Sequence, residues 1–248
     1  MQAVLLDVSG VLRDNRQAMW NSYVRVLEPA GFALHSGALQ ADASSAYRLR
    51  GFSKYNLVEN GIEALWALQQ DGIPLHEALA HPDKIAAAVS AHPFPEKKEW
   101  ALKVKADFRR TDEAYLASVP PVPHAHAALH RLSAKYKLAA VSNSGSVFNR
   151  AWLDSHGFSR FFRTFVAEQD VERKKPFPDG ILLACRRLFV RPERCYYVGD
   201  AQSDMAAAQN AGAVPIGVLS GTASKDQLVH AGALETFEDL WAFAEALK

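Results

Sequence analysis

The fold is decided by the first apolar stretch of the chain, Ala3-Val4-Leu5-Leu6-Asp7-Val8-Ser9-Gly10. A short, continuous apolar run of this kind is typical of a strand that is buried on both faces of a parallel sheet. The glycine ends the strand in a turn, and the first polar side chains, Asp7 and Ser9, lie at its carboxyl end. We therefore predict a parallel-sheet core whose first strand ends in a carboxylate and a hydroxyl.

Strands and helices alternate along the second half of the chain. Strand patterns lie at 137–142, 164–166, 195–199 and 214–218, and helical patterns at 124–135, 178–188 and 236–247, with further helices ending at His156 and Gly212. Strict alternation predicts an α/β fold with a doubly wound, Rossmann-like parallel sheet. In such sheets ligands bind beyond the carboxyl ends of the strands, so the chemistry is expected there.

The stretch from 17 to 118 has a different pattern. Val58, Ile62, Leu65 and Leu68 recur at helical spacing, and no clear strand pattern appears. The segment Pro120-Pro121-Val122-Pro123 then ends the helical region, because clustered prolines form a stiff, extended chain. We predict a Rossmann-like catalytic core of residues 1–16 and 119–248 and an inserted, all-helical cap domain of residues 17–118 with four or five helices.

Composition narrows the class of partner. The chain has 28 Lys and Arg against 27 Asp and Glu, so its net charge of +1 creates no overall attraction to nucleic acid or to anionic membranes. Its two cysteines have no other metal-ligating residue at suitable spacing, which favours a reducing compartment. No apolar run approaches the ~20 residues of a membrane helix, and the N-terminus does not resemble a signal peptide. We expect a cytoplasmic monomer or homodimer that acts on a small molecule.

Polar side chains follow the predicted strands where each one ends. They are Asp7 with Ser9, Ser142 with Asn143, Lys175, and Asp200 with Asp204. Carboxylates, a lysine and a hydroxyl around one point suit a hard divalent cation and a phosphoryl group. A carboxylate that attacks a dianionic phosphate needs that charge cancelled, and Mg²⁺ together with an ammonium group can do so. The sequence therefore predicts phosphoryl chemistry with Mg²⁺ as cofactor.

These motifs resemble those of the haloacid dehalogenase superfamily. The chain is similar to the branch with a helical cap inserted after the first strand, which includes phosphoglycolate phosphatases, β-phosphoglucomutases and phosphonatases. The motifs are Asp7-Val8-Ser9-Gly10-Val11-Leu12, Ala140-Val141-Ser142-Asn143, Lys175-Pro176 and Gly199-Asp200-Ala201-Gln202-Ser203-Asp204. The resemblance implies a phosphatase that acts on a small phosphorylated metabolite and forms an aspartyl-phosphate on Asp7.

The same resemblance implies a role for each matching residue. Lys175 is expected to balance the charge that spreads over the phosphoryl oxygens during transfer. The implied ligands of Mg²⁺ are Asp7, the backbone carbonyl of Ser9, Asp200 and Asp204. The implied phosphate contacts are Ser142, Asn143 and Gly10. The resemblance thus places the nucleophile, the metal and the phosphate at one edge of the sheet.

The chain departs from the family pattern at Ser9. Most phosphatases of the family resemble one another in having an aspartate here, which protonates the leaving oxygen and later activates water. A serine hydroxyl cannot do this at neutral pH, so about 10²- to 10⁴-fold of acid–base catalysis is at stake. The opening Asp7-x-Ser9-Gly10-Val11-Leu12 is nevertheless similar to that of the phospholysine phosphohistidine inorganic pyrophosphate phosphatases, so a phosphatase remains the first hypothesis.

Two other hypotheses stay open. Phosphonoacetaldehyde hydrolases also lack that aspartate, and Arg50-Gly51-Phe52-Ser53-Lys54 resembles the segment that holds their Schiff-base lysine. Lys54 would then form an iminium and make carbon the leaving group. In a phosphatase, Arg50 and Lys54 would instead bind the substrate from the cap. The second alternative is a catalytically weak protein that binds a phosphorylated ligand.

Overall fold

The computed structural model describes residues 1–32, 34, 58–95 and 119–247 of the chain. The chain divides into two compact units, one of Met1–Asp14 with Pro120–Lys248 and one of Asn15–Val119. The sequence divides the chain between 16 and 17 and between 118 and 119, and that assignment of domains stays a prediction.

The first unit is built on a six-stranded sheet. Its strands are β1 (Ala3–Leu6), β2 (Lys137–Val141), β3 (Phe162–Val166), β4 (Cys195–Gly199), β5 (Val214–Val218) and β6 (Glu235–Phe237). Their order across the sheet is β3-β2-β1-β4-β5-β6, and each neighbouring pair is parallel. The order reverses at β1, whose neighbours are β2 and β4. The predicted doubly wound α/β fold with a parallel sheet is thereby confirmed.

Helices are found in both units. The α-helices in the described residues are α1 (Arg16–Leu27), α2 (Val58–Asp71), α3 (Leu75–Ala80), α4 (Pro82–Ala91), α5 (Ala125–Ser133), α6 (Ser146–Ser155), α7 (Asp179–Leu188), α8 (Gln202–Ala211), α9 (Lys225–His230) and α10 (Leu240–Ala246). None of the helices within these ranges combines the length and the hydrophobicity that a membrane span requires.

Two hydrophobic clusters cover the two faces of the sheet. Val4 and Leu6 of β1 point into one cluster, together with apolar residues of α5, α6 and α10. Ala3 and Leu5 point into the other, together with residues of α7 and α8. Alternate residues of a strand face opposite sides of the sheet, so a strand between two layers of helices must be apolar throughout. This explains the continuous apolar run at the start of the sequence.

The C-terminal region differs from the sequence pattern. A single helix over 236–247 was predicted, but Glu235–Phe237 forms β6 beside β5, and α10 begins only at Leu240. The prediction was wrong here because Asp239 starts a new element. Its carboxylate accepts a hydrogen bond from the backbone N–H of Ala242 at 2.8 Å, which is the arrangement of an N-cap. The six-residue helix α9 was also missed, since it is too short to show a helical period.

The described part of the second unit is helical, as the sequence predicted. Its core contains Ile62, Leu65 and Leu68, which are fully buried in α2 and lie at the predicted helical spacing. The Trp66 ring lies between other aromatic rings, with centroids 6.0 Å from Phe32 and 6.1 Å from Phe94. The predicted helical segment 96–116 lies outside the described residues.

Candidate active site

Three carboxylates meet at the carboxyl edge of the sheet. Asp7 follows β1, and Asp200 follows β4, the strand that pairs with β1. Asp204 lies in the first turn of α8. Each residue offers a carboxylate oxygen within 4.8 Å of the others, and all three residues are buried. The structure therefore brings together the three acids that the sequence assigned to one site.

Lys175 lies within this cluster. Its Nζ is 2.9 Å from Asp7 Oδ1 and 2.7 Å from Asp204 Oδ1, and its side chain is 5% exposed. Burial alone would lower the pKa of the ammonium, but the charges of Asp204 and Asp7 outweigh this and hold the pKa well above its usual value. With all groups ionised, three carboxylates and one ammonium leave a net charge of −2 in a buried space.

The backbone of Lys175 is held by Asn143. The side-chain Nδ2 of Asn143 donates to the Lys175 carbonyl at 3.0 Å, and its Oδ1 accepts from the Lys175 N–H at 2.9 Å. Both ends of the amide thus serve to fix the loop that carries the lysine. The sequence assigned Asn143 a phosphate contact. In the structure its side chain positions Lys175, and the phosphate contact stays a prediction.

The Asp200 carboxylate is held tightly on one side. Its Oδ2 accepts hydrogen bonds from the Thr222 N–H at 2.8 Å and from the Thr222 hydroxyl at 3.1 Å. Two glycines make room for it. Gly10 has a φ of +76°, and a Cβ there would lie 2.4 Å from Asp200 Cγ; a Cβ on Gly221 would lie 2.0 Å from Oδ2. Gly10 is therefore placed against this carboxylate, which explains why a glycine stands at that position.

Burial raises the pKa values of Asp7 and Asp200. The pKa of Asp7 rises to about 6, chiefly because burial disfavours the charged form, while Lys175 lowers it and Asp204 raises it. The pKa of Asp200 rises to about 7, chiefly through burial and then through the neighbouring charges of Asp204 and Asp7. Ionising both acids at neutral pH is costly unless a further cation is present, so the cluster favours the binding of a cation.

Ser142 follows β2 and is 5% exposed. Its Oγ accepts hydrogen bonds from the Ser144 N–H at 3.2 Å and from Asn149 Nδ2 at 3.3 Å. With both of these donors directed at the oxygen, the hydroxyl proton remains for another acceptor. An oxygen of a bound phosphate is the acceptor that the sequence predicted.

Ser9 is hydrogen-bonded to an arginine that the sequence analysis did not single out. Arg13 Nη2 donates to Ser9 Oγ at 2.8 Å, although Arg13 is fully buried. The guanidinium also lies 4.9 Å from the centroid of the Phe148 ring and 5.5 Å from that of Trp152. An arginine stays protonated across the physiological range, so the Ser9 hydroxyl has a permanent positive charge beside it.

Tyr197 is a second residue that sequence reasoning missed. It lies in β4 and is fully buried, and its hydroxyl is 3.1 Å from Lys175 Nζ and 3.2 Å from Asp204 Oδ1. Lys175 can donate to the phenol, which in turn donates to Asp204. Burial raises the pKa of Tyr197 well above its usual value, so the phenol stays protonated. In the sequence, a tyrosine within an apolar strand is interpreted as a core residue, so Tyr197 gave no functional signal. Thr222, which contacts Asp200, follows β5, and a search of the residues after each strand could have found it.

The residues fit a magnesium ion. Mg²⁺ prefers oxygen ligands, and the cluster offers buried carboxylates whose net charge of −2 a divalent cation would cancel. Thr222 binds Oδ2 of Asp200, and no described residue donates to Oδ1. Asp204 is more engaged, since Oδ2 accepts from the Ala201 N–H and Oδ1 from Lys175. Asp7 and Asp200 are therefore the acids best placed to bind a metal.

The predicted substrate contacts of the cap, Arg50 and Lys54, lie outside the described residues. The carbon–phosphorus cleavage hypothesis depends on Lys54, so it stays a prediction with no structural support. The described catalytic candidates all belong to the first unit.

Comparison of the sequence with known proteins gives a family match and a match to a curated relative. A family model described as haloacid dehalogenase-like hydrolase matches residues 76–218. The phosphoglycolate phosphatase of Escherichia coli is 33% identical over 100 residues, which is 40% of this chain and 40% of that protein. The matched region therefore spans less than half the length of this curated relative.

Solved structures match over nearly the whole chain at low identity. A predicted phosphoglycolate phosphatase from Haemophilus somnus has a TM-score of 0.72 at 18% identity and covers 100% of this chain and 98% of its own. A HAD family hydrolase from Deinococcus radiodurans, solved with bound phosphate and sodium, has a TM-score of 0.71 at 22% identity and covers 100% and 95%. These likenesses establish a shared fold.

Proposed function

The chain belongs to the haloacid dehalogenase-like hydrolase family, whose model matches more than half of it, and from this premise we propose that it is a magnesium-dependent phosphatase. The observation that carries the proposal is the position of Asp7. Its carboxylate lies at the carboxyl edge of the sheet, 2.9 Å from Lys175 Nζ and beside Asp200 in a buried acidic cluster. A protein that only bound phosphate would gain nothing from a carboxylate placed among its anion contacts.

In this proposal the metal is held by Asp7 and Asp200, with Asp204 and the backbone carbonyl of Ser9 as the further predicted ligands. When bound, Mg²⁺ supplies positive charge to the phosphoryl oxygens and to the carboxylates around them. Thr222 orients Asp200 through Oδ2, so the other carboxylate oxygen is available.

Asp7 is the proposed nucleophile. Its pKa of about 6 leaves it ionised at neutral pH, and one carboxylate oxygen forms a new bond to phosphorus. The bond from phosphorus to the leaving oxygen breaks, and its electron pair stays on that oxygen. Lys175 remains protonated and, with the Ser142 hydroxyl proton, binds the phosphoryl oxygens. Water then hydrolyses the aspartyl-phosphate, which restores Asp7 and releases inorganic phosphate, and one proton of that water passes through solvent to the released oxygen.

Ser9 and Arg13 act on the leaving oxygen in this scheme. Ser9 cannot deliver a proton as a carboxylic acid does, but its hydroxyl can donate a hydrogen bond to the oxygen as negative charge develops. Arg13 Nη2, at 2.8 Å from Ser9 Oγ, makes that hydroxyl a stronger donor and fixes its position. The leaving group is thus stabilised by charge instead of by protonation.

The proposed substrate is a small phosphorylated metabolite. The E. coli relative is named phosphoglycolate phosphatase, so 2-phosphoglycolate is the first compound to try. Sugar phosphates, nucleotides and phosphoramidates complete the panel, and phosphonoacetaldehyde tests the carbon–phosphorus alternative. A cytoplasmic location, the absence of nucleic-acid and membrane partners, and a monomeric or homodimeric state remain predictions.

The decisive experiment compares wild type with Asp7→Asn in a phosphate-release assay with Mg²⁺. We expect the amide to lower kcat by at least about 10³-fold, because it removes the nucleophile. Asp226→Asn is the matched control, since Asp226 is exposed on α9, and it should leave kcat unchanged. Acid-quenched wild type should carry a hydroxylamine-labile phosphoryl group on Asp7. Substrate binding without turnover by wild type would instead support a phospho-ligand-binding protein.

A further inference from the structure

Two adjoining clefts lie at the amino edge of the sheet, opposite the carboxylate cluster. One has a volume of about 690 Å³ and the other about 560 Å³. Gln2, just before β1, and Phe189, just after α7, line both. Because Asp7 is five residues beyond Gln2, about 17 Å of strand separates the clefts from the carboxylates. They are therefore distinct from the candidate active site.

The clefts are lined by cations. The basic side chains are Lys135, Lys137, Arg160 and Arg163 in the larger cleft and Arg186, Arg191 and Arg194 in the smaller one. Neither cleft is lined by an acidic residue, and none of these side chains forms an ion pair with any part of the chain that the structure describes. The neighbouring Glu193 is not among the lining residues. Seven cations on one face stand out in a protein whose net charge is only +1.

Helix dipoles explain a small part of this cluster. Cations near the last turn of a helix offset the negative end of its dipole, which accounts for Arg186 in α7 and for Lys135 just after α5. Lys137 and Arg163 lie in strands, and Arg191 and Arg194 lie outside any α-helix. None of these four cations forms an ion pair with a described acid, so an external anion is the expected partner.

Two of the cations are already held in position. Lys137 Nζ donates to the backbone carbonyl of Leu188 at 2.9 Å. Arg160 Nη2 lies 2.9 Å from His126 Nε2, and its guanidinium lies 4.9 Å from the centroid of the Phe161 ring. Fixed cations lose little conformational freedom when an anion binds, and arginine forks match phosphate oxygens.

Phe189 adds an aromatic surface between the clefts. Its side chain is 91% exposed, and its backbone has a φ of +55°, a left-handed conformation in which a bulky residue is uncommon. Glycine is the usual residue at this position after a helix. The ring therefore contributes little burial to the fold, and it offers a flat apolar face beside seven cations.

We propose that the two clefts bind a small polyanion that carries several phosphate groups and an aromatic ring, that is, a nucleoside triphosphate. The phosphate groups would contact Lys137, Arg160 and Arg163 in the larger cleft, and the base would stack on Phe189. The volume of each cleft lies in the range of small-ligand sites.

The test measures binding of ATP and of tripolyphosphate to the full chain by calorimetry, with EDTA present so that no turnover occurs. Both compounds should bind saturably, and higher salt should weaken the binding of both.

Arg163→Glu should weaken the binding of both compounds by at least about tenfold, because it replaces a phosphate contact by a repulsive charge. Lys225→Glu makes the same charge change at an exposed position of α9 and should alter neither affinity. Phe189→Gly keeps the left-handed backbone and should weaken ATP but not tripolyphosphate.

Several results would overturn the proposal. They are absence of saturable ATP binding at low salt, equal weakening by Arg163→Glu and Lys225→Glu, and loss of binding in Asp7→Asn, which would place ATP at the carboxylate cluster. Tight binding of a single-stranded oligonucleotide that ATP cannot displace would instead make this a nucleic-acid face. Phosphatase activity of Arg163→Glu towards p-nitrophenyl phosphate should equal that of wild type, so the two proposals fail independently.

Discussion

Tyr197 connects the two charged groups that hold the proposed phosphate site together. Its hydroxyl lies between Lys175 Nζ at 3.1 Å and Asp204 Oδ1 at 3.2 Å, with no exposure to solvent. Tyr197→Phe removes this link but leaves the ion pairs of Lys175. We expect a loss of about 1 kcal/mol in the free energy of unfolding and a fall in kcat of about three- to tenfold. Urea unfolding and phosphate release measure the two effects.

Tyr196→Phe is the matched control for this change. Tyr196 is the preceding residue of β4, so its ring faces the other side of the sheet, where it packs against Phe243 at 5.5 Å between centroids. Removing its hydroxyl should change neither kcat nor stability appreciably. Equal effects of the two substitutions on kcat would mean that Tyr197 contributes only packing.

Arg13 and Ser9 make a prediction about leaving groups. If they stabilise a departing oxygen by charge, Arg13→Met should lower kcat/KM for alkyl phosphates by about 10- to 100-fold. The loss for p-nitrophenyl phosphate, whose leaving group is already a stable anion, should be about threefold or less. The ratio of the two rates is the quantity to measure, because it does not depend on how much of the variant is folded.

Two further variants separate this role from a structural one. Ser9→Ala should show the same dependence on the leaving group, and the double variant should be no worse than either single one, since both residues act on one hydrogen bond. Ser9→Asp should raise the rate for alkyl phosphates more than for aryl phosphates. A loss in Arg13→Met that is equal for both substrates would mean that the arginine only supports the turn.

At the residue scale, the sequence identifies acids and a lysine close to strand ends and misses buried side chains that reach the site from a strand or a turn. Asp7, Lys175, Asp200 and Asp204 were grouped because parallel strands end at one edge. Tyr197 and Arg13 are fully buried, and hydrogen bonds link them to Lys175 and to Ser9. A buried hydroxyl or guanidinium has no signal in the apolar pattern, so their contacts require coordinates.

At the scale of elements, the C-terminal end of α7 contains a position that limits stability. Phe189 adopts a left-handed conformation with φ of +55° while 91% exposed, so its side chain contributes little burial. Phe189→Gly should raise the free energy of unfolding by about 0.5–1 kcal/mol, because glycine adopts this conformation without steric cost. A higher urea concentration at the midpoint of unfolding would confirm this gain in stability.

The equivalent position of α8 supplies the reverse test. Gly212 ends that helix with a φ of +76°, and a Cβ there would meet nothing closer than 3.9 Å. Gly212→Ala should therefore lower the free energy of unfolding by about 1 kcal/mol through backbone strain alone. Shifts of the same sign in the two variants would contradict a backbone origin.

The position of a strand in the sheet determines how clearly the sequence predicts it. The inner strands β1, β2 and β4 are apolar runs between two helical layers, so their pattern is strong. β6 lies at the edge of the sheet and has only three residues, of which Glu235 is exposed. A short edge strand next to a helix shares its apolar residues with the helical period, which is why 236–247 looked like one element.

At the scale of the whole molecule, the acidic cluster links stability to pH. The pKa values of Asp7, about 6, and Asp200, about 7, lie above the ordinary 3.8. Between about pH 4 and about pH 7, the folded protein therefore binds more protons than the unfolded chain. Each acid thus contributes stability that is fully present below about pH 4 and is lost as the pH rises through the folded-state pKa.

Mg²⁺ should abolish this dependence. Without metal, the free energy of unfolding should fall by a few kcal/mol between about pH 4 and about pH 7, as the buried acids ionise beside one another. An excess of Mg²⁺ favours the ionised acids, so the fall should disappear and binding should release protons. Urea unfolding with EDTA and with Mg²⁺ at each pH measures the first effect.

Asp200→Asn should weaken the pH dependence in EDTA and the gain in stability from Mg²⁺, whereas Asp226→Asn, at an exposed position of α9, should change neither. A fall of equal size in Asp200→Asn and wild type would place the linked protons outside the cluster.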